Sequence, residues 1–237
     1  TIILIGFPMN CIWIFCNYVS HIIIFRNNFL NYYFFLTNIK MTNENEGIII
    51  VCFIVVLGFA MYKIRKSKLT VVENQDNGMK LTVVNDKNKR KSADLLSEII
   101  IKMFKLRNTL IKEKDKYPEY EEYIDLLAKN FNDERTKIYE NDPTSDLTSF
   151  SVNKGEEVAL CLKSKKTGEL HQQNLLLYVA IHEMAHMGCP EIGHGELFKK
   201  VFKFLTLRAM EMGIYEKEDY NANPVEYCGM ILSSSIV

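Results

Sequence analysis

The sequence contains few histidines, and the cysteines of its second half are far apart. Only five histidines occur among 237 residues. The cysteines of the second half, Cys161, Cys189 and Cys228, lack the spacing of a cysteine zinc site. We therefore predict a domain with reduced cysteines and no disulfide framework, which fits a cytosolic protein.

The chain has no formal net charge, but its charges are segregated. Residues 63–91 contain nine Lys and Arg against three Asp and Glu, a net charge of +6, whereas residues 92–237 contain eighteen against twenty-four, a net charge of −6. A basic segment suits the anionic cytoplasmic surface of a membrane. An acidic domain binds phosphate poorly, so we predict no nucleic-acid partner.

The N-terminal region is nearly free of charge. Residues 1–40 carry only Arg26 and Lys40 and begin with Thr1. We predict that this leader lies upstream of a natural start at Met41. The alternative is that residues 1–25 form a first membrane span.

A second uncharged run covers residues 47–62 and is followed by Lys63. It lacks the stripe of polar residues that would mark one face of a helix in a protein core. It is somewhat shorter than the roughly 20 residues of a comfortable span, but its polar flanks can reach the interfaces. Residues 41–67 are therefore predicted to comprise a membrane anchor, which contacts lipid through residues 47–62, and a basic juxtamembrane segment. No cleavable signal is apparent. Because the basic residues follow the run, the C-terminal domain is predicted to be cytoplasmic in a single-pass arrangement.

The most informative motif is His182-Glu183-Met184-Ala185-His186, followed by His194. Two histidines four residues apart lie on one face of a helix, where their ring nitrogens can bind a single Zn²⁺. The preceding run, residues 174–181, contains no proline, glycine or charge and predicts a helix that is buried on most sides. Gly188 and Pro190 then end the helix, which allows His194 to return to the metal.

The predicted site has the composition of a catalytic zinc centre. His182, His186 and His194 as ligands would leave the fourth position to water, whose pKa the metal lowers. Glu183 would accept a proton from this water as the general base, and Tyr227 is a candidate donor to the oxyanion. Glu226 is an alternative third ligand in place of His194.

Three further features lie close to the motif in the sequence. His171 precedes the helix and is interpreted as an ordinary cap or surface residue. Cys189 follows the second histidine and is interpreted as a small buried thiol, although it could reach the metal. Apolar residues at helical spacing between Glu196 and Met212 predict a second helix, with His194 at its N-terminal edge.

The zinc segment, from Ile181 to Phe198, resembles the WLM and SprT-like zinc metallopeptidases, in which an aromatic residue four positions after the third histidine closes the site. A wider region, from Lys68 to the C-terminus, resembles an uncharacterised WLM-like family of large DNA viruses. The hallmarks of this resemblance are the zinc segment and the segments 92–96 (SADLL), 151–157 (SVNKGEE) and 223–230 (NPVEYCGM). The interval from His186 to His194 is two residues longer than in cellular WLM proteases. The metzincin pattern requires a glycine three residues after the second histidine and a further histidine three residues beyond that glycine. Cys189 and Ile192 occupy these positions, so the pattern is excluded.

The remaining sequence predicts an α+β, zincin-like domain over residues 68–237. Two similar runs around Asn77-Gly78 predict a β-hairpin. Helices are predicted from Ser92, as the N-cap, to Lys112 and over residues 117–130. Residues 158–163 predict a strand just before the zinc helix, a position that commonly forms the edge along which a substrate peptide lies.

We therefore interpret the sequence as a membrane-anchored zinc metallopeptidase that acts on a polypeptide substrate. One alternative is a membrane scaffold in which zinc has only a structural role. A second is a SprT-like protease of DNA–protein crosslinks, which the acidic charge of the domain disfavours.

Overall fold

A computed structural model describes residues 50–59, 61 and 68–237 of the chain. Residues 50–59 and 61 are helical, and apolar side chains such as Phe53 and Val56 are 62% and 64% exposed. Within the described ranges, no helix has both the length and the apolar character needed to cross a membrane. The predicted leader, residues 1–40, and both ends of the predicted anchor, residues 47–62, fall outside the described residues.

Contacts divide the chain into two units, Thr1–Met61 and Tyr62–Val237. The second unit is a mixed α+β structure. Its strands are β1 (Leu69–Glu73), β2 (Lys80–Val84), β3 (Lys137–Glu140), β4 (Phe150–Val152), β5 (Glu157–Leu160), β6 (Val225–Tyr227) and β7 (Met230–Leu232). Its α-helices are α1 (Lys89–Lys112), α2 (Glu121–Asn130), α3 (Gln173–Gly188) and α4 (Glu196–Glu211), with 3-10 turns at Lys114–Lys116 and Pro118–Tyr120.

Five strands form one sheet in the order β1-β2-β3-β5-β4. The hairpin β1–β2 is antiparallel, β2–β3 and β3–β5 are parallel, and β4 pairs antiparallel with β5. Strands β6 and β7 form a separate antiparallel hairpin near the C-terminus. Because β4 pairs with β5 alone, it is an edge strand of the five-stranded sheet.

The predicted hairpin is confirmed. Leu69 pairs with Val84 at its open end, and the turn contains Gly78 with a φ of +70°. Glycine adopts this left-handed conformation without the steric cost of a side chain. The Asn74 side chain accepts hydrogen bonds from the backbone N–H groups of Asp76 and Asn77, which fixes the turn.

Helix α1 begins earlier than the sequence predicts. Its first residue is Lys89, so Ser92 is a fully buried residue inside the helix and not its N-cap. The chain already turns at Asp86, whose carboxylate accepts the backbone N–H of Asn88 and whose carbonyl accepts that of Lys89. The predicted helix over residues 117–130 starts with a 3-10 turn and becomes α-helical only at Glu121.

Helix α3 lies at the centre of the core, as the uncharged run at residues 174–181 predicts. It packs against α1, α2, α4 and the strands β4 and β5. Leu176, Ala180 and Ile181 are at most 1% exposed. Burial of each large aliphatic side chain contributes about 1.5–3 kcal/mol, so this helix is a rigid support for the residues that follow it.

The prediction that the cysteines are reduced is wrong for one pair, because Cys161 and Cys228 form a disulfide. Cys161 follows β5 and Cys228 lies in the turn between β6 and β7. The two residues are 67 positions apart, but the hairpin returns beside the end of β5 and brings their Cα atoms to 6.1 Å. Their linear spacing therefore gave no indication of this pairing. Cys52 and Cys189 are free among the described residues.

We predict that the Cys161→Ser/Cys228→Ser double variant unfolds with a free energy about 2–4 kcal/mol lower than that of the wild type, because the crosslink restricts a long loop of the unfolded chain. Chemical denaturation of the full-length protein measures this difference. A dithiol reductant should destabilise the wild type to a similar extent and leave the double variant unchanged. Wild-type stability that does not respond to the reductant would contradict a stabilising disulfide.

Candidate metal centre

His182 and His186 project from one face of helix α3, as their spacing of four residues requires. The helix ends at Gly188, and a loop without regular structure leads to helix α4, which begins at Glu196. His194 lies in this loop, two residues before α4. The predicted start of the second helix at Glu196 is confirmed.

The three histidines converge on a single point. The Nε2 atom of His186 is 3.2 Å from those of His182 and His194, and the latter two are 3.0 Å apart. In a tetrahedral site with Zn–N distances of about 2.0–2.1 Å, neighbouring nitrogens are about 3.3 Å apart. The spacing and the all-imidazole donor set therefore fit Zn²⁺. Within the described residues, these three histidines form a group that can bind a metal ion.

The surroundings keep two of the imidazoles neutral. Burial lowers the pKa of His182 to about 3, with a further contribution from the neighbouring His186 and His194. Burial also lowers the pKa of His186 to about 4, and the charges of His194 and Lys154 add to this effect. A neutral imidazole has a free lone pair, which is the form that binds metals.

Phe198 packs against all three histidines. Its ring centroid lies 5.0, 4.3 and 4.8 Å from those of His182, His186 and His194, respectively. Phe198 is on the first turn of helix α4 and is 2% exposed. This aromatic contact fixes the ring orientations on one side of the group, whereas His194 remains exposed to solvent on the other. An open side is typical of catalytic rather than structural zinc sites.

Glu183 directly follows His182 on helix α3 and is buried, with 4% of its surface exposed. Burial raises the pKa of its carboxyl to about 7, and a hydrogen bond from the Ser151 side chain acts in the opposite direction. A carboxyl that titrates near neutrality can both accept and release a proton at physiological pH, as a general acid–base catalyst must.

Tyr227 is buried near Glu183, with 4% of its surface exposed. Its hydroxyl is hydrogen-bonded to that of Ser149, which in turn accepts the backbone N–H of Cys161. Burial raises the pKa of Tyr227, and the nearby Glu183 adds to this increase. In this arrangement the phenol is close to the predicted base, and its hydroxyl is directed to Ser149.

The structure places the other candidate residues outside the convergent group. Glu226 lies on strand β6, where its carboxylate accepts the backbone N–H of Gly229. Cys189 is buried, 1% exposed, directly after helix α3. His171 is not a simple surface residue or cap, because its ring is half-buried against Tyr227 and its Nε2 accepts the backbone N–H of Cys228. His171 thus supports the C-terminal hairpin.

The predicted substrate edge corresponds to an interior strand. Strand β5 (Glu157–Leu160) lies between β3 and β4, so it has no free side for an added peptide. The edge that packs against helix α3 is β4, which the sequence did not predict. Its three residues are too few to show an alternating pattern. For the same reason, the sequence did not reveal two serine contacts. Ser151, within β4, contacts Glu183, and Ser149, next to β4, contacts Tyr227.

These observations define a small α+β domain with a three-histidine site that can bind a metal ion. The sequence is 40% identical over 185 residues to the uncharacterized protein R325 of Acanthamoeba polyphaga mimivirus, a match that covers 78% of this chain and 92% of that protein. The chain therefore belongs to the same family as this viral protein.

Shorter matches are found with two iridescent viruses. The uncharacterized protein 136R of Invertebrate iridescent virus 6 is 39% identical and 042R of Invertebrate iridescent virus 3 is 31% identical, each over 71 residues. These matches cover 39% and 44% of the respective proteins. The crystal structure of a Wss1 mutant from Saccharomyces cerevisiae aligns over 56% of this chain and 92% of its own, with 19% identity and a TM-score of 0.41. No protein-family model matches the sequence.

We predict that the purified, unchelated protein contains one Zn²⁺ per chain and that His182→Ala or His186→Ala abolishes this stoichiometric binding, because two remaining ligands hold zinc poorly. His194→Ala should also weaken binding. Elemental analysis of each variant provides the measurement.

Glu226→Ala is the matched control and should retain the metal. Zinc that is lost from Glu226→Ala and kept by His194→Ala would instead assign the third ligand to Glu226. A wild-type protein without zinc would exclude the metal site.

Proposed function

We propose that this protein is a membrane-anchored zinc metallopeptidase. The observation that carries the proposal is the convergence of three imidazole nitrogens on one point, two of them from a helix that also carries a buried carboxyl with a pKa near 7. His182, His186 and His194 would hold the ion. A Zn²⁺ at this position supplies Lewis acidity to a peptide carbonyl and to a water molecule.

Glu183 acts as the proton carrier of the reaction. Its carboxylate accepts a proton from the attacking water and later transfers it to the leaving amine nitrogen. Burial and the hydrogen bond from Ser151 adjust its pKa in opposite directions and leave it close to neutrality. The Ser151 contact also fixes the orientation of the carboxyl, since both groups are attached to regular elements, β4 and α3.

A polypeptide substrate lies along strand β4. This strand is at the edge of the sheet, it packs against the helix that carries the histidines, and one of its residues contacts Glu183. An extended peptide can add to such an edge through main-chain hydrogen bonds. The net charge of −6 over residues 92–237 supports a polypeptide substrate over one associated with nucleic acid.

The membrane anchor is formed by residues 47–62, and the catalytic domain faces the cytoplasm. Large apolar side chains are exposed along the described helical residues of this segment, as expected for a helix surrounded by lipid. The basic residues that follow favour a cytoplasmic C-terminal domain. The Cys161–Cys228 disulfide is instead typical of an oxidising compartment, so the topology requires a direct test.

For the reaction, we expect Glu183→Gln to retain zinc and the fold but to lose about a hundredfold or more in kcat for peptide hydrolysis, because the isosteric amide cannot accept the proton. Glu211→Gln, which changes an exposed carboxylate at the end of α4, is the control and should be as active as the wild type. Wild-type hydrolysis by Glu183→Gln would eliminate this mechanism. A wild type that binds zinc but cleaves no peptide would favour the structural-scaffold alternative.

For the topology, we expect an N-glycosylation acceptor engineered next to Val237 to remain unmodified in microsomes. An acceptor in an N-terminal extension should be modified, because the chain crosses the membrane once. Glycosylation of the C-terminal acceptor would place the domain on the other side of the membrane and in the compartment where disulfides are common.

A further inference from the structure

The loop between helices α3 and α4 has no regular structure that would hold it in place. It runs from Cys189 to Gly195 and carries His194 near its end. Ile192, at the middle of the loop, is 95% exposed, and Gly193 has a φ of +89°. Such a segment has many accessible conformations, and ordering each residue costs about 1–2 kcal/mol. His194 can contribute fully to the site only if other contacts restrict this loop.

Lys154 provides two such contacts. Its ammonium group donates hydrogen bonds of 2.7 Å to the carbonyl oxygens of both Cys189 and Glu191. These carbonyls flank Pro190, so one cation joins both sides of the bend that follows helix α3. Hydrogen bonds that involve a charged donor are stronger than those between neutral groups.

Lys154 itself lies in a well-anchored turn between β4 and β5. Asn153 and Lys154 have positive φ values of +47° and +56°, which are uncommon for residues other than glycine. The Arg135 guanidinium holds this conformation through hydrogen bonds to the carbonyl oxygens of both residues. The ammonium is therefore presented to the loop from a fixed backbone.

The same turn is in direct contact with the end of the histidine helix. A Cβ atom on Gly155 would come within 2.9 Å of the Asn130 carbonyl oxygen and the Met187 sulfur, so the backbone approaches more closely than any side chain allows. The Asn130 side chain also donates a hydrogen bond to the carbonyl of Met187. The turn, helix α2 and the last turn of α3 thus form one rigid support on which Lys154 is mounted.

We propose that Lys154 is a positioning residue for the metal centre, which holds the Cys189–Gly195 loop so that His194 meets the two helical histidines. The inference rests on the metal site of the proposed function and deepens it. It also gives a role to the segment 151–157, in which Ser151 contacts Glu183 and Lys154 supports the ligand loop. Lys154 is not a member of the histidine group, and its proposed effect on His194 is transmitted through its contacts with the loop.

The charge of Lys154 makes the proposal testable, because its electrostatic effect and its positioning effect on the affinity for Zn²⁺ have opposite signs. A cation near the site repels Zn²⁺, so on electrostatic grounds alone its removal would strengthen metal binding. If Lys154 positions the loop, its removal weakens binding. We expect Lys154→Met in the full-length protein to raise the dissociation constant for Zn²⁺ about 10- to 100-fold, the range seen when residues that support metal ligands are lost.

Competition with a chromophoric chelator measures this constant without reference to peptide cleavage. Lys154→Arg keeps a multidentate cationic donor and should bind Zn²⁺ within a few-fold of the wild type. Lys154→Gly removes the ammonium but suits the positive φ, so it should fold and lose the same affinity as Lys154→Met. Lys203→Met, at an exposed lysine of helix α4, is the matched control and should bind zinc like the wild type.

A double-mutant cycle identifies the route of the effect. If Lys154 acts through His194, then Lys154→Met should cause little further loss of affinity in a His194→Ala background. Hydrogen exchange in residues 189–194 should also be faster in Lys154→Met than in the wild type. Wild-type or tighter zinc binding by Lys154→Met and Lys154→Gly, or additive losses with His194→Ala, would overturn the proposal. If zinc binding follows these expectations but the protein has no peptidase activity, the proposed function is refuted and the positioning role of Lys154 is not.

Discussion

The close approach of three imidazole nitrogens is the constraint on which the rest of the site depends. Positive charges on the rings of His182 and His186, whose Nε2 atoms are 3.2 Å apart, would repel each other strongly. Burial lowers the pKa of both residues and so favours their neutral forms. The hydrophobic core therefore has two roles, since it stabilises the fold and also sets the protonation state that a metal ligand needs.

Local sequence patterns predicted the parts of the structure that depend on neighbours in the chain. Helix α3 follows from an uninterrupted apolar run and its end from Gly188, and the first hairpin follows from Asn77-Gly78. The spacing of His182 and His186 similarly follows from the helical repeat. The exact start of α1 was missed because the Asp86 side chain, outside the apolar pattern, begins the turn.

The features that the sequence did not reveal join residues that are far apart in the chain. Cys161 meets Cys228 across 67 residues. Ser151 reaches Glu183 from a strand too short to recognise, and Lys154 reaches the ligand loop from a turn whose backbone conformation a sequence pattern does not show. Each of these contacts depends on how β4 and β5 are placed against α3, which is a property of the complete fold.

The C-terminal hairpin is an integral part of the domain and not an appended tail. The disulfide joins it to the end of β5, the His171 ring accepts a hydrogen bond from its turn, and Ser149 binds the hydroxyl of Tyr227. These contacts hold Tyr227 in the core, where the nearby Glu183 adds to the effect of burial in raising the pKa of its phenol. The final segment of the chain thereby contributes to the site although it is more than thirty residues beyond the histidine helix.

The brevity of strand β4 has a consequence for solubility. An exposed strand edge presents unpaired N–H and C=O groups to which another copy of the protein can attach, and long edges of this kind promote aggregation. Strand β4 has only three residues and is followed directly by the left-handed turn at Asn153 and Lys154, which bends the backbone away from the strand direction. An edge of this length gives a second folded copy few hydrogen bonds, so the domain can leave β4 open without polymerising through it.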